Sequence, residues 1–472
     1  MKVTEVRTKE STKHCCGNGC PQKDTAEQEE YEEALTEQRM TENNLNSTSR
    51  EERRLLEEII SPENLNRAYR KVKRNRGAGG IDGMKVEELY GYLRENREEL
   101  RESILAGKYK PSPVRRVEIP KENGKKRMLG IPTAADRVIQ QAIAQVISPI
   151  YEGKFLETSY GFRPGKSAHE ALKTCRMLMN AGYVWAVELD LEKFFDTVNQ
   201  SKMIQLLGEE VKDGRVISLI HKYLRAGAVQ GRKYEETKEG VPQGGPLSPL
   251  LGNIMLHELD KELTRRGHWF VRYADDIVIL CRSKAGAEQT MEHIIPYIEK
   301  KLYLKVNREK SKVSHANRIK FLGYGFYKDS KGYQLRVHKK SIAKMKEKVR
   351  ELTDRKRIRS YEKQKEELRS YITGWVNYFK LAEMKNVLKE TDQWMRRRIR
   401  MNIWKKWKTG KTRYRNLVKL GLNHDEAKKI AGSRKGCWRI SDSPNLHAVL
   451  SNRRLEQAGY LFFSSHYKSV KV

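Results

Sequence analysis

The chain has 472 residues, 38% of them hydrophobic, with 95 Lys and Arg against 61 Asp and Glu. A net charge of +34 asks for a polyanionic partner, and the length allows two or three domains with a substantial core. No apolar run approaches the roughly 18 residues of a membrane-spanning helix, and "MKVTEVRTKE" lacks the apolar region of a signal peptide, so a cytosolic chain off the membrane is expected.

Charge is distributed unevenly. Residues 1–60 carry 9 basic and 14 acidic side chains, a net of −5, whereas residues 331–420 hold 29 basic and 9 acidic, a net of +20. A segment that basic releases counterions from phosphates, and its binding weakens steeply with salt.

In chain order, residues 1–48 are polar and without periodicity, which predicts a disordered tail. Its "HCCGNGC" offers His14, Cys15, Cys16 and Cys20 to zinc, but adjacent cysteines suit a tetrahedral site poorly and no second ligand pair follows; a reduced tail is the plainer reading. The other cysteines, 175, 281 and 437, complete no disulfide framework. From Ser49 the pattern turns helical. Ser61 and Pro62 open a second helix as cap and first residue, which "GAGGIDG" ends. A further amphipathic helix closes at Gly107.

"VRRVEIPKENGKKRMLGIP" then gives two short β runs around a turn, followed by the helical "AADRVIQQAIAQVISPIYE". "VWAVELDL" reads as a buried strand, and "SKMIQLLGEEV" and "VISLIHKYLRA" as helices. "PLSPLLGNIMLHELDKEL" is a helix entered through a Pro- and Gly-rich loop. "VRYADDIVIL" and "KFLGYGFY" read as β, separated by a helix, and from about 340 the chain is predominantly helical. Strands interleaved with helices and followed by a basic helical tail predict α+β with an all-α appendage.

The acids in this pattern carry the chemistry. In "VRYADDIVIL" the apolar runs flanking Asp275 and Asp276 are short and β-branched, so "ADD" is expected at the tip of a hairpin. Asp190 closes the strand "VWAVELDL". A carboxylate at the edge of a core must be paired or hydrated, and paired Mg²⁺ ions about 4 Å apart would meet that need while activating a primer 3′-hydroxyl. An Asx-type turn capped by Asp275 is the alternative.

"YADD" at 273–276, "GVPQGGPLSPLLGNIMLHELD" at 240–260 and "LDLEKFFDTV" at 189–198 resemble the reverse transcriptases encoded by group II introns. The resemblance extends through "GAGGIDG", "IPKENGKKRMLGIPTAADRVIQQAIAQVI", "SYGFRPGKSAHEAL" and "FLGYGF" to "GWVNYFKLAEMKNVLKETDQWMRRRIRMNIWKKWK", over residues 61 to 408. It implies a right-hand polymerase, with fingers and a ferredoxin-like antiparallel palm sheet at 49–335, an all-α thumb or maturase domain at 336–408, and a small C-terminal nucleic-acid-binding region at 409–472.

By the same resemblance Asp190, Asp275 and Asp276 would be the catalytic, metal-binding acids, and the Leu191 carbonyl a further ligand of two Mg²⁺ ions, with Mn²⁺ as a substitute. Lys121 and Arg127 match the positions that close on the nucleotide triphosphate. Phe195 matches the ring that excludes a 2′-hydroxyl, with Phe194 as its core neighbour. Gln243 would hydrogen-bond the nascent base pair and Lys310 would protonate pyrophosphate. Arg163 would contact template or pack the palm. The thumb is expected to bury most of Trp375, Tyr378, Trp394, Trp404 and Trp407 while "RRRIR", with Arg396, Arg397 and Arg398, tracks RNA phosphates.

The implied function is RNA-directed DNA polymerisation from dNTPs on an RNA template. The implied partners are group II intron RNA, bound to assist splicing and retrohoming, and a DNA target or primer. The implied setting is bacterial cytoplasm, nucleoid-associated through nucleic acid. Relatives often add a metal-binding endonuclease after the helical end; here only Cys437 stands there, so no second-strand cleavage is expected. Monomer and homodimer both stay open. Two alternatives are a splicing-only maturase, which would let the palm acids decay, and a domesticated enzyme of phage defence or DNA repair, which would lack a flanking intron.

Overall fold

Short β-branched runs punctuated by turn residues build three sheets, and the helices between them cover the faces. The computed structural model describes residues 54–120, 126–356 and 360–471. Ser49, the 1–48 tail with its His and Cys cluster, and Lys121 therefore lie outside the described residues.

The first sheet holds β1 (Val114–Pro120) and β2 (Lys126–Ile131), antiparallel with Val117 opposite Leu129. Strands β4 (Ala228–Gln230) and β5 (Lys233–Glu235) extend it in the order β2-β1-β4-β5. The second sheet joins β3 (Trp185–Leu189), β6 (Trp269–Tyr273), β7 (Asp276–Cys281) and β8 (Lys312–His315) in the order β6-β7-β3-β8, every pairing antiparallel. The third is β9 (Lys320–Phe321), β10 (Tyr324–Asp329) and β11 (Gly332–Val337), ordered β11-β10-β9. Strand β11 crosses the boundary expected at 335.

The second sheet explains the unbroken apolar run after Asp276. Ile277 and Ile279 point into one core with Val187, Leu189 and the helices Ala134–Glu152 and Ser248–Arg265. Val278 and Leu280 point into another, shared with the third sheet and the thumb helices. A strand covered on both faces reads as continuously hydrophobic instead of alternating. Ser61 caps the helix Pro62–Asn75 by accepting from the Asn64 N–H, as its sequence predicts. Thr133 caps Ala134–Glu152 in the same way through Asp136.

The C-terminal half is helical: Lys339–Leu352, Tyr361–Phe379 and Lys385–Lys406 lie where the thumb is expected, and six shorter helices follow between Gly410 and Val470. The last of these returns to the thumb. The buried Asp392 accepts from the N–H groups of Phe463 and Ser464, both at 2.9 Å, at the start of the helix Phe463–Val470. Phe462, Phe463 and Tyr467 join the thumb core, so the chain beyond 408 splits between this core and a smaller one around Trp404, Trp407 and Leu417. This is an α+β fold with a helical C-terminal part.

The basic run of the thumb departs from expectation. Arg396 lies over the Phe462 ring at 4.3 Å and pairs with Glu456 at 3.6 Å. Arg397 stacks on Trp438 at 4.0 Å and pairs with Asp442 at 3.0 Å. Arg398 donates to Thr353 Oγ1 at 2.6 Å and lies over Trp394. These guanidiniums bind the returning C-terminal segments and the neighbouring thumb helices instead of presenting a free phosphate track. Trp404 and Trp407 are core, as expected, Trp375 and Trp394 are partly buried, and Tyr378 is exposed with its hydroxyl donating to the Leu322 carbonyl at 2.9 Å.

Candidate active site

Register and the hairpin turn place the three acids at one end of the second sheet. Leu189 pairs with Ile277, so Asp190, the next residue along β3, faces the level of Asp276, the first residue of β7. Tyr273 pairs with Asp276 across the hairpin, leaving Ala274 and Asp275 as its tip. Ala274 has φ +56°, the left-handed conformation that the tight turn requires. Beyond Asp190 the chain bridges Val306 at Leu191: Glu192 donates to the Lys305 carbonyl at 2.7 Å and Asn307 to the Asp190 carbonyl at 2.8 Å. Both bonds belong to the neighbours of Leu191, whose own carbonyl takes no part in them.

The electrostatics are those of crowded like charge. Asp276 keeps accessible surface, yet the protein mass around it desolvates its carboxyl; that effect first, then the charges of Asp275 and Asp190, push it up to about 6 against the pull of Lys320 and Lys310. Lys310 Nζ donates to Asp190 Oδ2 at 2.9 Å, and Asp190 N–H donates to Ser311 Oγ at 3.1 Å. Among the described residues no three His, Cys, Asp or Glu side chains converge closely enough to hold an ion as they stand. Asp190 instead carries an ammonium. The donor set still fits a hard divalent cation, because it is all oxygen, and one positive group already sits on it.

The hairpin tip is fastened from beneath by residues that sequence reasoning missed. Arg272 Nη1 donates to the Ala274 carbonyl at 3.1 Å and to Asn253 Oδ1 at 2.9 Å. Asn253 in turn donates to the Gly161 carbonyl at 2.8 Å. A side chain at 161 would bring a Cβ within 2.3 Å of the Ala274 nitrogen, so only glycine admits the tip. Residues 158–160 lie along β6, with Tyr160 N–H donating to the Arg272 carbonyl and Arg272 N–H to that of Thr158, both at 2.9 Å. The available signal was an Arg inside the otherwise apolar strand Trp269–Tyr273. Arg163 packs the palm: it donates to Glu152 at 3.0 and 2.8 Å and to the Ser159 carbonyl at 2.8 Å, which settles the two readings of that residue.

A cleft of about 410 Å³ opens beside the acids' strand, lined by Arg116, Phe195, Gly240, Val241 and Gln243 among others. Phe194 is buried and Phe195 half-buried, their rings 5.0 Å apart. Arg127 is exposed on β2 and donates from Nε to Gln243 Oε1 at 2.9 Å, and Gly130 N–H donates to the Gln243 carbonyl at 2.9 Å. The sequence-predicted residues thus fall into two groups: the acids with Lys310, and Phe195 and Gln243 along the cleft, with Arg127 bonded to Gln243.

Residues 119–326 match the family model "Reverse transcriptase (RNA-dependent DNA polymerase)", and residues 342–421 match "Group II intron, maturase-specific domain". The chain is 35% identical over 326 residues to Protein YkfC of Escherichia coli (strain K12), an alignment covering 60% of this chain and 86% of that one. It is 32% identical over 337 residues to the Group II intron-encoded protein LtrA of Lactococcus lactis subsp. cremoris, covering 57% of this chain and 56% of LtrA. Among solved structures, one titled "Partial Cas6-RT-Cas1--Cas2 complex" aligns at 25% identity and TM-score 0.35, over 52% of this chain and 43% of that one.

Proposed function

The chain belongs to the group II intron-encoded reverse transcriptases and maturases, and on that premise we propose that Asp190, Asp275 and Asp276 form the catalytic centre of its RNA-directed DNA polymerase. Members of the reverse transcriptase family use divalent metal ions; here two Mg²⁺ ions would be held by these carboxylates and the Leu191 carbonyl. When bound, they lower the barrier at the primer 3′-hydroxyl and at the leaving pyrophosphate. The observation that carries this reading is the pairing of Leu189 with Ile277, which supports a shared centre for acids 85 positions apart.

The chain's own residues supply the rest. Arg127, with Lys121, would bind the triphosphate; Gln243 orients Arg127 and borders the nascent pair. Phe195 narrows the cleft where a 2′-hydroxyl would lie and so favours dNTPs by clash. Lys310, on Asp190 as it stands, would donate a proton to the leaving pyrophosphate once it leaves that carboxylate. The maturase domain would bind intron RNA to assist splicing and retrohoming, with a DNA target or primer as second nucleic acid.

The test is primer extension on poly(rA)/oligo(dT) with dTTP and Mg²⁺. Asp275→Asn with Asp276→Asn should lower the rate about 10³-fold or more, since a catalytic ion contributes several kcal/mol, and should leave RNA affinity within about twofold. Extension at the parental rate would reject the site.

A further inference from the structure

Four cations converge at one end of the helix Gly214–Arg225. Lys222 and Arg225 in its last turn, with Lys108 and Lys110 just after Gly107, line a pocket of about 400 Å³. Lys222 Nζ donates to the Gly107 carbonyl at 2.6 Å and so ties the two segments together. Among the described residues no carboxylate lines this pocket, and none forms an ion pair with Lys108, Lys110 or Arg225. Between the charges the wall is carbon: Pro111, Ala226 and the methylene stems of the four long side chains. A lone surface lysine is ordinarily solvated. Four cations around one carbon-walled pocket fit an occupant that is acidic at its edges and apolar at its centre.

One stretch of this chain has that composition. Residues 24–37, "DTAEQEEYEEALTE", hold seven acidic side chains and no basic one, and Tyr31 stands at the middle between Glu29, Glu30, Glu32 and Glu33. The stretch lies outside the described residues, but the point at which the described chain begins is fixed beside the same helix. Leu56 N–H donates to Asp213 Oδ2 at 3.1 Å, and Glu57 pairs with Arg215 at 2.7 Å. From Arg215 to Arg225 is about 15 Å along the helix. The 23 residues from Tyr31 to Arg54 cover ~35 Å even at the rise of an α-helix, so the stretch reaches the pocket with length to spare.

We propose that residues 24–37 dock on this pocket of their own chain, with Tyr31 against the carbon wall and the flanking glutamates on Lys108, Lys110, Lys222 and Arg225. Exposed ion pairs contribute little one by one, but a tethered segment meets its site at an effective concentration on the order of millimolar. While docked, it withholds the four cations from nucleic acid, so a polyanion binds this face only by displacing it. A chain with a net charge of +34 thereby gains a check on the nonspecific binding that its total charge favours.

Two measurements on the full chain test this, and neither requires catalysis. Carbodiimide coupling joins a carboxylate directly to an amine. It should link residues 24–37 to Lys108, Lys110 or Lys222 within one molecule, in a yield that is independent of protein concentration and reduced by salt, and Tyr31→Ala should lower that yield several-fold. The second measurement is binding of a nonspecific DNA duplex. Glu29→Gln, Glu30→Gln, Glu32→Gln and Glu33→Gln together should tighten it about tenfold, the effect of uncovering a site that is occupied roughly nine-tenths of the time. The slope of log K against log salt should steepen by about 2–4, at about 0.9 for each cation uncovered. In a chain that also carries Lys110→Glu and Arg225→Glu, both exposed positions, the four glutamine changes should bring no gain. Coupling to lysines elsewhere, or only between molecules, would overturn the assignment. So would an equal gain with and without the pocket charges, because the glutamates would then act through net charge alone. The coupling result comes from the parental chain and does not depend on how any variant folds.

Discussion

Arg272 and Asp260 meet where neither reaches water: Nε donates at 2.8 and 3.0 Å and Nη2 at 2.5 Å to a carboxylate that is 1% exposed, from an arginine that is 0% exposed. Because the other arm of Arg272 holds the Ala274 carbonyl, the pair fixes the residue before Asp275. Removing one partner of a buried pair costs about 3–5 kcal/mol, which Asp260→Ala should show in urea unfolding. Arg272→Met with Asp260→Leu should recover much of that stability, since packing can replace the charges, but not primer extension, since nothing then donates to Ala274. A double variant extending at the parental rate would show that the tip positions itself.

Asp276 links acidity to the metal. Its carboxyl titrates near 6 in the fold, above the ordinary 3.8, so the folded state binds this proton more tightly than the unfolded chain. Stability from this group is present at low pH and is lost as pH rises from about 3.8 through about 6. In metal-free buffer, melting temperature should therefore fall less with rising pH in Asp276→Asn than in the parent. Saturating Mg²⁺ should erase that difference, because the cation replaces the proton. A difference that persists in Mg²⁺ would mean that the cation does not reach this carboxylate.

The sequence made legible what depends on local pattern. The hairpin of β6 and β7, the strand that ends at Asp190, and the cap at Ser61 follow from β-branched runs, turn residues and a side-chain oxygen three positions from its partner. Strands β4, β5 and β8 were not legible. "AVQ", "KYE" and "KVSH" are too short and polar to show a period, and they are strands only because β1 and β3 offer distant partners. The intramolecular partners of "RRRIR" were hidden for the same reason in charge: Glu456, Asp442 and Trp438, which meet Arg396 and Arg397, lie far along the chain. Arg272 and Asp260 were quoted inside motifs, but only the fold reveals that they meet.

Those thumb arginines give a prediction opposite in kind to the one their charge suggests. Arg396 and Arg397 each combine a ring contact with an ion pair, and a cation–π contact contributes about 0.5–2 kcal/mol. Arg397→Ala should lower stability by roughly 1–2 kcal/mol in chemical denaturation. It should also expose the 409–472 segment to limited proteolysis while changing the salt slope of RNA binding by less than one ion. A variant as stable as the parent but with a shallower salt slope would return this arginine to the RNA surface.

Phe195 tests the cleft. Its ring stands between the buried Phe194 and the open volume beside Gln243, so truncation removes bulk from the cleft more than from the core. Phe195→Ala should leave dTTP incorporation within a few fold and raise incorporation of UTP on the same template. One steric contact changes discrimination by about 1–3 kcal/mol, or 10- to 200-fold. Because Phe195 excludes by clash and not by attraction, the change should appear in kcat/KM for the ribonucleotide, with the deoxynucleotide as the internal standard. If Phe195→Ala rejects UTP as strongly as the parent, the 2′ position of the sugar lies elsewhere, and the placement of the nucleotide in this cleft is wrong.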